Sequence, residues 1–495
     1  MNLIGIFIRL VFVVVVGLLI LFFYSCSFER ERDSKSGIDF KKGKDIVGKI
    51  SNTFGSSLDI DIDGDGSKDS AIVLKNIGVN RVAPSMCVDD KGNVFIAWYS
   101  EGVWVLKFDN NGNLGKSFGA DGKIVIKDDI LSGSGIVRDI YVDKAGNIFI
   151  TGYVSSSLSC VFVVKLSSNG SLDAIFGDNG KVFLDANGIL ETNLRIKSIV
   201  AFNSRNSRED KSKKDKSISY YSTKVSSLCL DNEGNIFLGG CSYKEGGSDV
   251  FIWKLDSKGR LSSDFGNNGI VILRDLISDF SGYEVNSLCL DKEGNIFIGG
   301  FSWYRNFNNC KVFILKLNSN GNLDSGFGSG GKVILSNIVS SNKGEKVLGM
   351  YLDNRMNILL GGYSYNRNKK DGFLVKIDDK GRIVSEFGIN GKLIFHNLIG
   401  YSFRVDKYGN IFVGGKMDNY GRYGAFVIKL DSSGKFDSTF GKGGKIVLSN
   451  IKEWKIISVN DVCIDNKGNI FILGTYKKDN IFFKPQVNIL VFKIE

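Results

Sequence analysis

A short acidic segment near the N-terminus has the residue types and spacing of a calcium-binding loop. It reads DIDGDGSKD from 61 to 69, and its carboxylates occupy the first, third, fifth and ninth positions: Asp61, Asp63, Asp65 and Asp69. Hard cations prefer oxygen ligands, and a glycine at the sixth position allows the sharp turn of such a loop. The Ser67 carbonyl would supply the seventh position. Position twelve is Ile72 rather than glutamate, so a solvated acidic turn without a metal stays open as the alternative.

A second set of residues has the composition of a binding surface. Aromatic side chains stand beside cations at several places along the chain: Tyr243 with Lys244, Trp303 and Tyr304 with Arg305, Tyr365 with Arg367, and Tyr420 and Tyr423 with Arg422. Aromatic and arginine residues are typical anchors of interfaces. We therefore expect a protein or glycan partner at these positions. The alternative is that each aromatic residue only packs against the neighbouring structural unit.

Enzyme chemistry has less support in the sequence. The single histidine, His396, lies in the apolar run KLIFHNL and fits a strand residue better than a general base. No phosphate-binding loop, paired-cysteine zinc site or nucleophile motif is present. Four carboxylates near the aromatic positions could serve a hydrolase or lyase that acts on a glycan or cell-envelope polymer: Glu245, Asp249, Asp371 and Asp418. Because nothing in the sequence fixes their geometry, this enzyme reading ranks second to a binding or scaffolding module.

The elements that must position these residues are repeated seven times. The stretch DKEGNIFIGG, which begins at Asp291, returns in close copies whose aspartates stand at 89, 143, 231, 291, 353, 406 and 465. Each unit contains four short apolar runs rich in Val, Ile and Phe, which are strand signals. Four strands in each of seven repeats predict an all-β chain that folds as a seven-bladed β-propeller with four-stranded blades.

Two constant connections recur in every complete unit. Asp-x-x-Gly-Asn is a tight turn between the first and second strands, in which the aspartate side chain can hold backbone N–H groups. The second connection, such as GNLDSGFGSGGKVIL from Gly321, joins the third and fourth strands. Its phenylalanine is predicted to plug the space between neighbouring blades. Both constant connections should emerge on one face of the ring, and the connections of variable length should emerge on the other.

The combined pattern D-x-x-G-N-[IV]-F-[ILV]-x-G, followed by K-[LI]-D-x-x-G-x-[LIF]-D-x-x-F-G-x-x-G-K, resembles the bacterial delta-60 repeat. The resemblance covers about residues 80–495 and implies a propeller, but it implies no activity, because propellers host many unrelated functions. Three departures stand out: Met356 at the turn glycine, Ile270 at the lysine, and Ala97-Trp98 at the Gly-Gly pair.

The last unit has only three strands and ends at VNILVFKIE, so the ring needs a fourth strand from elsewhere. An open ring would expose unpaired strand edges. The N-terminal segment GSKDSAIVL stands in the expected register, and we predict that a strand near 70–75 completes the last blade beside 487–494. The acidic loop just before it resembles the calcium loops of integrin-type propeller repeats and EF-hand-like extracellular modules. That resemblance implies a structural calcium ion that clamps the closing strand.

The first 25 residues predict export. Residues 3–24 are apolar except for Arg9, and the segment ends at Ser25-Cys26 before a charged run. It resembles a bacterial lipoprotein signal, in which Cys26 is lipidated, although Phe23 departs from the usual leucine. An uncleaved membrane anchor and secretion of a soluble form are the alternatives. We therefore divide the chain into a signal peptide at 1–25, a tether at 26–50 and a propeller at 51–495, in the cell envelope and outside the cytoplasm.

The cysteines, the net charge and the longest insertion limit which partners are expected. The other seven cysteines do not form a disulfide framework, because Cys87, Cys229, Cys289 and Cys463 share a repeat slot that elsewhere holds tyrosine or arginine. A formal charge of +11 is spread along the chain without a nucleic-acid motif, so no nucleic-acid partner is expected. An insertion at about 190–222 contains the charged run SRNSREDKSKKDK and predicts a surface loop, with a basic docking patch as the alternative. We expect a monomeric propeller.

Overall fold

The computed structural model describes the propeller strands and most of their connections. The described residues are 70–74, 84–155, 159–185, 188–189, 220–278, 280, 282–304, 309–339, 344–366, 369–417, 424–448, 450–451, 454–478 and 488–494. The predicted signal peptide with Cys26, the tether, the calcium loop at 61–69 and most of the insertion at 190–222 lie outside them. Within the described residues, no helix is long and apolar enough to cross a membrane.

The described chain is all-β apart from one 3-10 turn, Ile130–Ser132, and forms seven antiparallel sheets. Blade one comprises β2 (Ser85–Val88), β3 (Val94–Tyr99), β4 (Val103–Phe108) and β5 (Lys123–Ile126). Blade two comprises β6 (Ser134–Val142), β7 (Ile148–Ser155), β8 (Ser159–Leu166), β9 (Lys181–Asp185) and the two-residue β10 (Gly188–Ile189). Blade three comprises β11 (Tyr220–Leu230), β12 (Ile236–Lys244), β13 (Gly247–Leu255) and β14 (Ile270–Leu273).

The remaining blades repeat the same order of strands. Blade four comprises β15 (Gly282–Leu290), β16 (Ile296–Tyr304), β17 (Asn309–Leu317) and β18 (Lys332–Leu335). Blade five comprises β19 (Glu345–Leu352), β20 (Ile358–Asn366), β21 (Lys369–Ile377) and β22 (Lys392–Phe395). Blade six comprises β23 (Leu398–Val405), β24 (Ile411–Met417), β25 (Ala425–Leu430) and β26 (Lys445–Leu448). Blade seven comprises β27 (Asn450–Ile451), β28 (Trp454–Ile464), β29 (Ile470–Lys478), β30 (Asn488–Ile494) and β1 (Ser70–Leu74).

The N-terminal strand closes the ring as predicted. β1 pairs antiparallel with β30, in a register that runs from Ser70 opposite Lys493 to Leu74 opposite Ile489. The inner strands of blades seven and one, β28 and β2, also contact each other, and every other pair of neighbouring inner strands does the same. The first strands of the seven blades therefore surround a central tunnel. The predicted seven-bladed β-propeller is confirmed.

The repeated turns have the predicted hydrogen bonds. In blade four, the Asp291 Oδ1 atom accepts from the backbone N–H groups of Glu293 at 3.0 Å and Asn295 at 2.8 Å. Its Oδ2 atom accepts from Asn295 Nδ2 at 2.7 Å. The aspartates of the other six turns accept from the following asparagine in the same way. We call the end of the ring that carries these turns the constant face, and the opposite end the variable face.

The phenylalanine of the second constant connection packs between blades, as predicted. Phe176 is fully buried and meets Phe149 of its own blade edge-on at 6.4 Å. It also lies against the turn of the next blade, where a Cβ atom added to Gly259 would be 3.0 Å from its ring. The adjacent Gly177 donates its N–H to the Lys258 carbonyl of that turn at 2.8 Å. A ring contact and a backbone hydrogen bond thus join neighbouring blades at the constant face.

The second strand needs glycine at the Gly-Gly pair because the backbone of the inner strand lies very close to it. A Cβ atom at Gly300 would be 2.3 Å from the Glu284 carbonyl oxygen and 2.5 Å from the Phe313 ring, which leaves no room for any side chain. Blade one carries Trp98 at this position. Its inner strand β2 begins at Ser85, opposite Ala97, so the strand pairing stops before the level of Trp98.

Candidate functional site: the variable face and the tunnel

The structure describes three of the predicted aromatic residues with their side chains, and all three lie at the variable-face ends of second strands. Tyr243 in β12 and Trp303 in β16 are half-buried, whereas Tyr365 in β20 is 37% exposed. The backbone of Tyr304 ends β16, but its side chain is not described. Four further predicted residues lie outside the described residues, together with Tyr420: Arg305, Arg367, Arg422 and Tyr423.

The cations beside these rings come from the inner strands. Lys224 in β11 places its Nζ atom 4.7 Å from the ring centre of Tyr243 and 5.8 Å from that of Tyr153 in the preceding blade. Because an ammonium group is attracted to the face of an aromatic ring, the lysine joins blades two and three. We call Tyr153, Lys224 and Tyr243 the first lysine clamp.

An equivalent arrangement recurs two blades further on. Lys346 in β19 lies 5.1 Å from the ring centre of Phe301 in the preceding blade and 5.9 Å from that of Tyr365 in its own blade. We call Phe301, Lys346 and Tyr365 the second lysine clamp. The pairing registers explain the equivalence, because Lys224 stands opposite Cys241 and Lys346 opposite Tyr363, each immediately after the Gly-Gly pair.

The second clamp is extended outward by a second tyrosine and a second lysine. The rings of Tyr363 and Tyr365 meet edge-on at 5.3 Å, and their hydroxyl groups are 3.4 Å apart. Lys370 places its Nζ atom 5.0 Å from the ring centre of Tyr363 and 5.1 Å from that of Tyr365. Burial and the neighbouring Tyr365 raise the pKa of Tyr363, so this hydroxyl stays protonated and can donate a hydrogen bond.

The carboxylates of the variable face contact neighbouring groups in their own blades or in the connections that follow them. Asp249 is buried between Lys244 at 2.6 Å and Arg274 at 3.3 Å. Asp371 accepts the backbone N–H of Asn397 at 2.8 Å and lies 3.5 Å from the His396 ring. These aspartates belong to the third strands of blades three and five, so the fold does not bring them together as an acid–base pair.

His396 differs from its predicted position. β22 ends at Phe395 and β23 begins at Leu398, so the histidine lies in the short connection between blades five and six rather than inside a strand. Its side chain is 77% exposed. The run KLIFHNL looks continuous in sequence because the connection is only two residues long. Of the other two predicted carboxylates, Glu245 is exposed in the turn after β12, and Asp418 lies outside the described residues.

Charged residues also converge at the tunnel. Asp139 of blade two is close enough to Arg404 of blade six and Asp461 of blade seven for their charges to act on it. Burial raises the pKa of Asp139 to about 6, although the Leu228 N–H and the Arg404 charge oppose the shift. Arg404 donates to Asp461 at 3.1 Å. Asp139 of blade two is thus influenced by charges from blades six and seven, neither of which is its neighbour in the ring.

Each tunnel carboxylate is also a link between blades. Asp139 accepts the Leu228 N–H of blade three at 3.0 Å. Asp461 accepts the Ser402 hydroxyl of blade six at 2.9 Å and the Met86 N–H of blade one at 3.3 Å. Since Asp461 connects the closing blade to both neighbours, its position indicates a structural role at the ring seam.

The cysteines of the repeat slot form similar links. The Cys229 thiol donates to the Leu288 carbonyl at 2.8 Å, and the Cys463 thiol donates to the Met86 carbonyl at 3.3 Å. Burial raises the pKa of Cys463 to about 12 and that of Cys229 well above its ordinary range. No disulfide joins the seven cysteines that the structure describes. The slot is a packing position at which buried thiols also donate hydrogen bonds to the next blade.

The constant face contains a cavity but little unsatisfied chemistry. A cavity of about 590 Å³ lies among the turns that begin at Asp231, Asp291 and Asp353. Each of these aspartates accepts hydrogen bonds from the asparagine of its own turn. In the described part of the chain, no three histidine, cysteine or acidic side chains are grouped to hold a metal ion. The predicted calcium ligands at 61–69 are outside that part.

The fold defines the class of this protein: it is a seven-bladed β-propeller closed by its N-terminal strand. No protein-family model matches the chain, and no curated protein sequence matches it. Similar solved structures include the polysaccharide lyase Uly1, with 11% identity, a TM-score of 0.48, and coverage of 84% of this chain and 90% of that chain.

Two further similar structures are enzymes with sugar substrates in their names. The PQQ-bound aldose sugar dehydrogenase of Streptomyces coelicolor has 10% identity and a TM-score of 0.37, over 86% of this chain and 99% of that chain. The α-L-arabinofuranosidase Arb93A of Fusarium graminearum has 10% identity and a TM-score of 0.37, over 71% and 91%. At such identities and scores, neither activity carries over to this chain.

Proposed function

We propose that this protein is a lipid-anchored binding or scaffolding module outside the cytoplasm, and that its ligand binds at the variable face. The lipoprotein-like segment that ends at Cys26 supports the location. The propeller supports the role, because binding residues are commonly carried on connections held by a rigid scaffold. The partner is a protein or glycan of the cell envelope, and the ring acts as a monomer.

The observation that carries this proposal is the pair of lysine clamps. Each clamp lysine lies on aromatic rings from two neighbouring blades, at the variable-face end of an inner strand. Aromatic residues beside cations are the composition of interface centres. Tyr365 presents 37% of its surface at the edge of the second clamp, so a ligand can reach it.

A matched pair of tyrosines provides the test. On the constant face, Tyr408 is 75% exposed and has Lys407 5.1 Å from its ring centre, which parallels Tyr365 and Lys370. The purified protein and the variants Tyr365→Ala and Tyr408→Ala are exposed to solubilised cell envelope and to a panel of envelope glycans. We expect a ligand retained by wild type and Tyr408→Ala but lost by Tyr365→Ala. Equal loss in both variants would contradict a variable-face site.

A second candidate function rests on the tunnel. Asp139, with its pKa raised to about 6, and the arginine-paired Asp461 are two carboxylates in one tunnel, as a glycan hydrolase or lyase could use. We rank it second because both side chains accept backbone N–H groups that hold the blades together. Product formation from an envelope glycan that is abolished by Asp139→Asn in a folded protein would reverse this ranking.

A further inference from the structure

The two lysine clamps are separated by one carboxylate at the same level of the ring. Lys224, Glu284 and Lys346 each precede the valine that stands opposite the second glycine of the Gly-Gly pair. They therefore occupy equivalent positions on β11, β15 and β19, which are the inner strands of three consecutive blades. Around the variable-face mouth of the tunnel, the charges thus follow the order positive, negative, positive.

The aromatic rings fix where the positive charges stand. A free lysine side chain loses considerable rotamer freedom when it binds a ligand. In the first clamp, rings from two blades already attract the Lys224 ammonium group, and in the second clamp the same holds for Lys346. A cation that is ordered before binding gives up less entropy when an anion arrives.

Further cations surround the same mouth. Arg138 lies 5.6 Å from the ring centre of Tyr153, and Lys416 lies 5.7 Å from that of Tyr401. The described carboxylates nearby include Glu284, between the clamps, Glu345, beside Lys346, and Asp249, which already contacts Lys244 and Arg274. Glu345 accepts the Val339 N–H at 3.3 Å. The cations of the clamps and their neighbours can attract a ligand with negative groups.

The burial of the clamps selects the shape of the ligand. Tyr153 is only 6% exposed and Phe301 only 3%, so the rings that support the lysines lie below the rim of the face. A flat membrane surface rests on the rim and does not reach recessed groups. A thin linear chain can follow the curve of the mouth from one clamp to the next.

We propose that the two lysine clamps are anion subsites for an acidic polysaccharide whose charged units are separated by uncharged ones. Glu284 would repel a charge placed between the subsites, so a polymer charged at every unit fits less well than one charged at every second unit. This inference rests on the proposed variable-face function. It adds the class of ligand, and its acidic groups can be carboxylates or phosphates.

The test measures the affinity of the purified full chain for four polymers at low salt. They are hyaluronan, with a carboxylate on every second sugar; polygalacturonate, with one on every sugar; a polyphosphate; and neutral dextran. The variants are Lys224→Met, Lys346→Met, the double variant and Glu284→Gln. Lys292→Met, which removes an exposed cation from the constant face, is the matched control.

We expect hyaluronan to bind about tenfold more tightly than polygalacturonate, dextran not to bind, and each clamp variant to lose about tenfold, since charge-assisted contacts are strong. Once either lysine is gone, the second substitution should cost less, because one polymer engages both subsites. Glu284→Gln should raise the affinity for polygalacturonate, a gain that misfolding cannot produce. Clamp-dependent binding of the polyphosphate would support the anion subsites and assign phosphate as the acidic group.

Three results would overturn the inference. An equal loss in Lys292→Met would show diffuse attraction to the whole basic protein. Clamp-dependent binding to vesicles that contain anionic phospholipid, without polymer binding, would assign a membrane surface instead. A neutral glycan or an envelope protein that needs Tyr365 but neither clamp lysine would preserve the proposed function and exclude the anion subsites.

Discussion

The two faces of this ring use the same kinds of side chain in opposite ways. On the constant face, an aspartate binds the backbone and the asparagine of its own turn, and this set of bonds recurs around the ring. On the variable face, Lys224 and Lys346 each lie on a ring of the preceding blade, in the clamps of blades two to five. Repetition therefore marks the structural face.

The difference also appears in how lysines are used. Lys316, near the end of β17 in blade four, forms an ion pair with Asp324 of the constant connection at 2.8 Å. The same pairing recurs in Lys165 with Asp173 and in Lys429 with Asp437. Lys316 also lies 5.5 Å from the ring centre of Phe297 in its own blade, whereas each clamp lysine lies on rings from two neighbouring blades. The constant-face lysines therefore support single blades, and the clamp lysines connect blades at the face that we propose binds the ligand.

The largest expected effect concerns a constant turn. Asp291→Ala removes three hydrogen bonds to Glu293 and Asn295, and at about 1 kcal/mol each the free energy of unfolding should fall by about 3 kcal/mol. Lys346→Met on the variable face should lower it by only about 1 kcal/mol, because the cation–π contacts are lost while methionine keeps much of the packing. Urea denaturation of both variants checks the contrast. Comparable losses in the two would remove the distinction between the faces.

A pH-dependent effect is expected between the faces, in the tunnel. Burial raises the pKa of Asp139 to about 6 in the folded chain, whereas an unfolded aspartate titrates near its ordinary value of about 3.9. The folded state therefore binds a proton that the unfolded state has lost, and stability falls as pH rises from about 4 through 6.

The loss of stability between pH 4.5 and 7.5 should be about 2 kcal/mol, less than the full shift would give because part of the change occurs below pH 4.5. Urea midpoints at pH 4.5 and 7.5 measure it. Asp139→Asn should abolish this part of the pH dependence, while Asp→Asn at the exposed Asp379 leaves it unchanged. A wild-type chain that becomes more stable over this range, relative to Asp139→Asn, would contradict the assignment.

The fold could be predicted from the sequence because its determinants are local and repeated. The aspartate turns, the phenylalanine plug and the closing strand at 70–74 each depend on residues at fixed spacing, and all are confirmed. The repeat averages out the ambiguity of any single strand. The sequence wrongly predicts a strand at His396, because a two-residue connection leaves no gap in an apolar run.

The candidate site was predictable only in part. Tyr243 and Tyr365 stand out in sequence because they follow the Gly-Gly pair, but Lys224 and Lys346 do not, since each lies in an ordinary inner strand. Their importance depends on rings contributed by the preceding blade, at Tyr153 and Phe301. A sequence signal for the clamps does exist. It is the charged residue that precedes the valine of β11, β15 and β19, and it becomes visible only when the inner strands of different blades are aligned with one another.

A smaller effect concerns the closing blade, where the third-to-fourth connection is replaced by the N-terminal chain. Ser70 begins β1 at the constant-face end, opposite Lys493. We propose that Asp61, Asp63, Asp65, Ser67 and Asp69 hold a calcium ion just before this strand. At a concentration roughly ten times Kd, bound calcium would contribute about 1.4 kcal/mol, and Kd values of about 10⁻⁴–10⁻³ M are usual outside cells.

Thermal unfolding with calcium and with a chelator measures this contribution. We expect a lower midpoint without calcium, with no difference in Asp63→Asn. Magnesium in place of calcium serves as the control, because it demands a smaller and more regular site. An identical midpoint with and without chelator in the wild-type chain would show that backbone pairing of β1 with β30 closes the ring by itself.

The smallest expected effect separates backbone conformation from hydrogen bonding within the constant face. Gly294, in the same turn as Asp291, has φ +79°, and a Cβ atom there would have its nearest neighbour, Ser319, at an ordinary 3.6 Å. Gly294→Ala should therefore cost only the left-handed conformation, about 1 kcal/mol. Met356 adopts φ 64° at the equivalent position of blade five, where Asp353 still accepts the Asn357 N–H at 2.8 Å. A loss in urea denaturation as large as that of Asp291→Ala would mean that the glycine, and not the aspartate, determines the turn. A smaller loss would show why blade five retains its turn without glycine: the aspartate supplies most of the stability, and the left-handed residue adds a modest cost that one blade of seven can bear.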